Sequence, residues 1–147
     1  MDRQYLILFL NQLLANYFVI YVKLHRYKWF AKGEHVFQLQ PIFEELHGTW
    51  KKDIDRLSDH ILSMDGKPYA TMIKYVKEAT IEEATADDEE EEMMEQLSDD
   101  FTKITEEIEE IGLKRAKEVN DELTLYFLLS LQQNINKYIW RLKAYYK

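Results

Sequence analysis

The chain has 147 residues, a length that suits one domain with a continuous core, so we expect a single architecture over residues 1–147. It contains no cysteine, which excludes disulfides, thiolate metal sites and cysteine nucleophiles and leaves four histidines and many carboxylates as candidate metal ligands. A formal charge of −8, from 27 acidic and 19 basic residues, argues against a protein that coats nucleic acid by bulk electrostatics.

The beginning of the chain predicts neither a signal peptide nor a membrane anchor. Met1-Asp2-Arg3-Gln4 lacks the charge order of a signal peptide, and the apolar run that follows is broken by Asn11 and Asn16. No unbroken apolar run approaches the ~18 to 20 residues that a transmembrane helix needs. We therefore expect a soluble, cytoplasmic protein.

Glycines and prolines divide the chain into four long helical segments. Only four glycines and two prolines occur, and Gly33 and Gly66-Lys67-Pro68 mark helix ends. The first segment, about residues 2–31, is apolar on all sides, which predicts burial on more than one side. The other three segments place apolar residues at helical spacing, namely Phe43, Leu46, Trp50, Ile54, Leu57, Ile61 and Met64, then Leu97, Phe101, Ile104, Ile108 and Ile111, and finally Leu128, Leu131, Ile135, Ile139, Leu142 and Tyr146.

The lengths of the connections predict how these helices are arranged. Those near Gly33 and Asn120 are short, which indicates two antiparallel hairpins. Between Met64 and about Asp87 lie roughly twenty residues, with a short helix predicted at Tyr69–Glu78, enough to cross from one end of a bundle to the other. The pattern predicts an all-α, ferritin-like four-helix bundle whose long crossover carries a short extra helix.

Three carboxylates form one stripe on the second helix. At 100° per residue, Glu44, Asp55 and Asp59 fall within about 60° of one another. The stripe lies roughly 150° from the apolar face of the same helix, so these side chains face away from their own bundle. A di-iron site enclosed in one bundle commonly uses paired Glu-x-x-His motifs, and Glu44-x-x-His47 is a lone match. A metal site here needs a second chain to close it, and a solvated acidic face is the alternative that spacing alone favours.

Several motifs resemble those of the Dps-type mini-ferritins over about Leu6 to Tyr146. They are LHRYKWFAKG at 24–33, FQLQ at 37–40, FEEL at 43–46, Asp55-x-x-x-Asp59 with Ile61-Leu62, Gly66-Lys67-Pro68, and IWRLKA at 139–144. Members of that family form hollow, roughly spherical dodecamers with ferroxidase sites shared between two chains at each two-fold interface. The resemblance implies a shell that oxidises Fe(II), stores iron and limits oxidative stress.

The resemblance also implies a set of metal ligands by position. Glu44 stands at the family's first acidic position, Asp55 at its aspartate, and Asp59 where glutamate is usual. The family's two histidines are replaced, one by Lys28 directly before the tryptophan and the other by Gln40 ahead of the first acid. Imidazole is a good iron ligand, whereas a glutamine amide is weak and a protonated lysine cannot coordinate.

These replacements leave three outcomes open for iron: a working di-iron ferroxidase, a weaker or single-metal site, or no specific site. Lys28 could instead reach a carboxylate across the interface and turn the site into an ion-pair cluster. Trp29 matches the family's tryptophan beside the site, which can intercept an oxidising equivalent, or it is a packing aromatic. The remaining candidate replacement ligands, each more often a surface or packing residue, are His25, His35, His47 and His60.

Two further family features have counterparts here. Family shells admit iron through acidic pores at the start of the last helix, where Asp121 and Glu122 stand, although Asp121 is equally a helix cap. Members that bind DNA directly often use a lysine-rich tail, and this chain begins almost at its first helix, so direct DNA binding is not expected. The alternatives to an iron-storing shell are a non-enzymatic structural shell and a helical interaction protein of smaller oligomeric state.

Overall fold

The structure, a computed structural model, describes residues 3–84 and 89–146, without the side chain of Tyr146. The helices are α1 (Arg3–Phe30), α2 (Val36–Ser63), α3 (Met72–Glu78), α4 (Glu90–Glu107), α5 (Leu113–Glu118) and α6 (Glu122–Tyr146), with a π-helical turn at Ile108–Gly112 between α4 and α5. These ranges contain no β-strand, so the predicted all-α fold is confirmed. The acidic pair Asp87-Asp88, at the end of the predicted crossover, lies outside the described residues.

The long helices form two hairpins, as the short connections predict. Helix α1 packs on α2, and α4 with α5 packs on α6. The first connection is fastened to the start of α4 because the His35 amide donates to Glu90 Oε2 at 3.1 Å. Gly33 has a φ of +139°, and a Cβ there would lie 2.6 Å from the same Glu90 oxygen, so glycine is the residue that fits this turn.

The core between the hairpins is apolar and aromatic. Every apolar residue predicted for the second helix is buried, from Phe43 to Met64. The Trp50 indole donates to the Tyr17 carbonyl at 2.9 Å and stacks between two rings, with centroid distances of 4.3 Å to Tyr17 and 5.1 Å to Phe101. Because this packing fixes the rotation of α2, it also determines which of its residues face outward.

The π turn alters the predicted core of the third long helix. Ile108 is buried, but Ile111 is 36% exposed, so its placement in the core was wrong. The extra residue of a π turn rotates the following residues, and Gly112 and Ala116 take the buried positions instead. A Cβ at Gly112 would lie 2.5 Å from Phe9 Cε2, so glycine lets α1 approach closely here.

The crossover is tied to α1 by two buried asparagines. Asn11 donates to the Lys67 carbonyl at 3.1 Å and accepts from the Tyr69 amide at 2.9 Å. Asn16 Oδ1 accepts from the amides of Thr80 at 2.7 Å and Ile81 at 3.1 Å. The residues that interrupt the apolar run of the sequence are therefore the ones that hold both ends of the crossover.

The short helix of the crossover begins later than predicted. Helix α3 starts at Met72, since the Thr71 hydroxyl caps it by accepting from the Lys74 amide at 3.3 Å. The tyrosine expected to open it, Tyr69, belongs instead to the segment held by Asn11. The predicted end at Glu78 is confirmed.

Helix α1 is long and apolar enough to span a membrane by length and composition, contrary to the expectation from unbroken apolar runs. Asparagines interrupt an apolar run without adding charge, so the mean hydropathy of α1 stays high enough for a membrane span. Of its most apolar stretch, 61% is buried inside the bundle. That burial is typical of the core helix of a soluble protein.

Candidate metal centre

The carboxylate stripe lies on the outer face of α2. Glu44, Asp55 and Asp59 are all exposed, and so is Gln40 one turn before Glu44. The opposite face of the helix is fixed in the core by Trp50 and its neighbours, so the stripe cannot turn inward without unpacking α2. The chain therefore presents these carboxylates to solvent or to another chain.

Lys28 contacts the first acid of this stripe within one chain. Its ammonium donates a hydrogen bond to Glu44 Oε1, joining the last turn of α1 to the first turns of α2. The side chains are 34% and 59% exposed, respectively. The hydrogen bond and the charge of Lys28 lower the pKa of Glu44. The sequence suggested that Lys28 could reach a carboxylate across an interface between chains. In the structure, Lys28 contacts Glu44 of its own chain.

Two histidines face each other one helical turn from this ion pair. His25 on α1 and His47 on α2 have their Nε2 atoms 2.7 Å apart. His25 Nδ1 lies 2.9 Å from the Tyr21 carbonyl oxygen, to which it donates. Desolvation, together with the charges of His25 and Lys28, lowers the pKa of His47, so its neutral form is favoured.

Aromatic rings surround the histidine pair. Tyr21 stacks on His47, with centroids 4.7 Å apart and planes at 21°, and it meets His25 edge-on at the same distance. Trp29 is 67% exposed, and its ring centroid lies 5.2 Å from that of His25. Trp29 is therefore not a core residue, and it lies beside the imidazole of His25 as well as next to Lys28 in sequence.

The other two histidines are used elsewhere. His35 Nδ1 lies 2.8 Å from Glu90 Oε1 in the first connection. His60 Nε2 lies 2.8 Å from the Thr124 hydroxyl at the start of α6. Within residues 3–84 and 89–146, no group of three or more histidine and carboxylate side chains is arranged to hold a metal ion. A metal site of that size needs ligands from a second chain or from solvent.

The predicted pore residues lie at the start of α6. Asp121 caps this helix because its carboxylate accepts from the Thr124 amide at 3.0 Å and from the Thr124 hydroxyl at 2.7 Å. Desolvation opposes ionisation, but these hydrogen bonds prevail and the pKa of Asp121 is lowered. Glu122 is exposed in the first turn. The geometry thus establishes that Asp121 caps α6. The neighbouring carboxylate of Glu122 is exposed, so it could face another subunit.

Comparison with known proteins identifies the class first. The chain matches the ferritin-like domain family over residues 7–147. It therefore belongs to the ferritin-like proteins, in agreement with the bundle and its tethered crossover.

Relatives within that class include Dps (DNA protection during starvation) proteins. The chain is 44% identical to general stress protein 20U of Bacillus subtilis (strain 168), over 92% of each protein. It is 34% identical to the DNA protection during starvation protein of Brevibacillus brevis, over 97% of this chain and 95% of the relative. The crystal structure of Dps from Staphylococcus aureus superimposes with a TM-score of 0.95 at 32% identity, covering 99% of this chain and 97% of the other. This chain is a member of the Dps family.

Proposed function

We propose that the chain assembles into a Dps-like homo-oligomeric shell, a dodecamer, that binds and stores iron in the cytoplasm and limits oxidative stress. Each subunit contributes one ferritin-like domain of residues 1–147. The observation that carries the proposal is the outward stripe of Glu44, Asp55 and Asp59 on a Dps fold. Carboxylates that face away from their own core are placed to bind iron together with a second chain.

Fe(II) is the substrate of this proposed site. The carboxylates of Glu44, Asp55 and Asp59 would bind it, with the Gln40 amide as a weak additional ligand. Oxidation of two Fe(II) ions supplies two electrons, which reduce one molecule of peroxide to water as two protons are taken up. Trp29, which is exposed and follows Lys28 in sequence, would intercept an oxidising equivalent that escapes. Asp121 and Glu122 would line the entry pore for iron.

The ion pair between Lys28 and Glu44 favours a second candidate, a structural shell with an inactive former ferroxidase site. A protonated lysine that holds Glu44 competes with a metal ion for the same carboxylate oxygen. In this candidate the shell would still assemble, but it would not oxidise Fe(II) faster than solution does.

Fe(II) oxidation by purified, size-checked protein separates the two candidates. We expect a particle of about twelve subunits and a saturable oxidation rate, with oxygen and with peroxide, above a protein-free control. A stable monomer or dimer would contradict the shell, and a rate equal to the control would favour the structural candidate.

A double substitution tests whether Lys28 and Gln40 limit the rate. Lys28→His with Gln40→His should raise oxidation roughly tenfold or more, because two imidazoles return to the family's ligand positions. The matched control is Lys32→His with Gln38→His, which places the same residues at exposed positions close by. An assembled double variant that oxidises Fe(II) no faster than this control would refute the proposed effect of the replacements.

A further inference from the structure

We propose that His25 and His47 form a second site, within one chain, for a divalent transition-metal ion of the kind that prefers imidazole. The site joins α1 to α2 and lies one helical turn from the ion pair of Lys28 and Glu44. It uses none of the carboxylates of the stripe and does not require the proposed shell or its chemistry.

The hydrogen bond of His25 orients its lone pair. Because Nδ1 carries the proton that is donated to the Tyr21 carbonyl, the neutral ring has an unprotonated Nε2. That atom faces His47 Nε2 at 2.7 Å. Metal-bound histidines commonly have this arrangement, in which the second ring nitrogen donates to a backbone carbonyl and fixes the tautomer.

The distance between the two nitrogens suits a shared ion after a small movement. With metal–nitrogen distances of about 2.0–2.1 Å, two imidazoles on a tetrahedral ion have their nitrogens ~3.3 Å apart. The rings must separate by roughly half an ångström, which a small side-chain rotation supplies. Both histidines are half-exposed, so they have room to move and solvent can complete the coordination.

Without a metal, the pair has to share a proton. His47 Nε2–H would then donate to His25 Nε2, and both nitrogens would be occupied by that single bond. A divalent ion takes the place of this proton and binds both lone pairs, while the proton moves to His47 Nδ1 so that the ring stays neutral. Zn²⁺, Fe²⁺ and Cu²⁺ belong to the class that imidazole binds well, whereas Mg²⁺ and Ca²⁺ prefer oxygen.

The sequence places this pair close to the positions where family histidines are missing. His25 precedes Lys28 by one turn of α1, and His47 follows Glu44 by one turn of α2. From sequence, His25 and His47 are two separate candidate ligands, and the structure shows that they are adjacent. The chain thus keeps two imidazoles beside its carboxylate stripe, but both come from the same subunit.

Titration of metal-free protein with Co²⁺, followed by visible absorption and by competition with Zn²⁺, tests the site. We expect one ion per chain at this site, and affinity at least tenfold lower in His25→Gln and in His47→Gln. His35→Gln is the matched control, since it removes a half-exposed histidine from the same half of the chain, and it should bind within twofold of the unaltered protein. Asp55→Asn and Asp59→Asn should also leave this affinity unchanged.

Equal affinity in all the variants would overturn the proposal, as would a loss of binding in the Asp55 and Asp59 variants in place of the histidine variants. A second measurement needs no variant: anomalous scattering from crystals of the unaltered protein grown with Zn²⁺ should give a peak between the two Nε2 atoms. A peak on the carboxylate stripe with none at the histidines would also overturn it. Neither measurement uses Fe(II) oxidation, so failure here is separate from failure of the proposed function.

Discussion

The two halves of α1 carry polar residues in opposite circumstances. In the first half, Asn11 and Asn16 are 5% and 1% exposed and hydrogen-bond to the backbone of the crossover. Near its end, His25 and Lys28 are half-exposed and contact side chains of α2. The first pair bonds to backbone groups of the crossover, and the second pair bonds to side chains that water or a metal ion can also satisfy.

This difference separates residues that determine the fold from residues that determine its chemistry. A buried backbone amide that loses its hydrogen-bond partner is left desolvated without compensation. Substitution of the asparagines should therefore lower the free energy of unfolding substantially. An exposed ion pair contributes little to stability, so substitution near Lys28 can alter metal chemistry while the fold persists.

Removal of a buried tether should have the largest effect. We expect Asn16→Ala to lower the free energy of unfolding by about 2–4 kcal/mol, because the amides of Thr80 and Ile81 lose their acceptor. Denaturant unfolding at a fixed protein concentration measures it. Gln4→Ala, at an exposed position of the same helix, is the control and should cost less than about 0.5 kcal/mol. Similar losses of stability in the two variants would remove the distinction between the two halves of α1.

Close packing against the first half of α1 gives the next largest effect. Gly112→Ala should destabilise the protein by about 1–3 kcal/mol, since the added methyl group would collide with Phe9. Combining it with Phe9→Leu provides space, so the double variant should cost less than the sum of the two single variants. Strict additivity in the same denaturation experiment would show that the contact is not the cause.

The exposed ion pair should contribute much less. We expect Lys28→Met to change the free energy of unfolding far less than Asn16→Ala does, because water screens an exposed ion pair. The same variant frees Glu44, whose pKa should rise towards its usual value, and this is measurable by titration with carboxyl-selective NMR labelling. Lys51→Met, at an exposed position of α2, is the matched control and should leave that pKa unchanged. A loss of stability comparable with Asn16→Ala would contradict the comparison.

Acid should produce the smallest and most gradual effect. Desolvation lowers the pKa of His60 below 6.5, so the unfolded chain binds more protons in mildly acidic solution and stability falls as the pH drops through that range. In His60→Gln, the decrease in the thermal midpoint from about pH 7.5 to pH 5 should be shallower.

His35→Gln provides a control of opposite sign. The hydrogen bond to Glu90 raises the pKa of His35, so this residue stabilises the fold at acid pH and loses that effect as the pH rises through its folded pKa. Its removal should therefore steepen the acid loss. The same slope in both variants would show that these histidines do not govern the pH dependence.

The arrangement of helices could be predicted from sequence because it depends on periodicity and connection length. Phe43 to Met64 repeat with the period of a helix, and the same pattern that buries them turns Glu44 outward. The start of α3 and the exposure of Ile111 could not be predicted in this way. Both depend on backbone hydrogen bonds, one from a threonine cap and the other from a π turn, that apolar spacing does not encode.

The candidate site was only partly accessible to sequence reasoning. Helical projection gives the direction of a side chain from its own helix, so the exposure of Asp55 and Asp59 followed from sequence alone. The pairing of His25 with His47 depends on the register between α1 and α2, which neither helix determines by itself. The sequence offered one hint of this pairing: His25 lies one turn before Lys28 and His47 lies one turn after Glu44.

The π turn leaves the third long helix with one residue more than its contacts require. Ile108 and Ala116 are both buried, although eight residues of regular α-helix would place them about 80° apart. Seven residues would keep them on one side, so the turn absorbs a single surplus position, and Glu109 and Glu110 within it are exposed. The chain should therefore tolerate the loss of one residue at this point. Deletion of either glutamate would convert the π turn to regular α-helix and join the two buried faces into one uninterrupted helix.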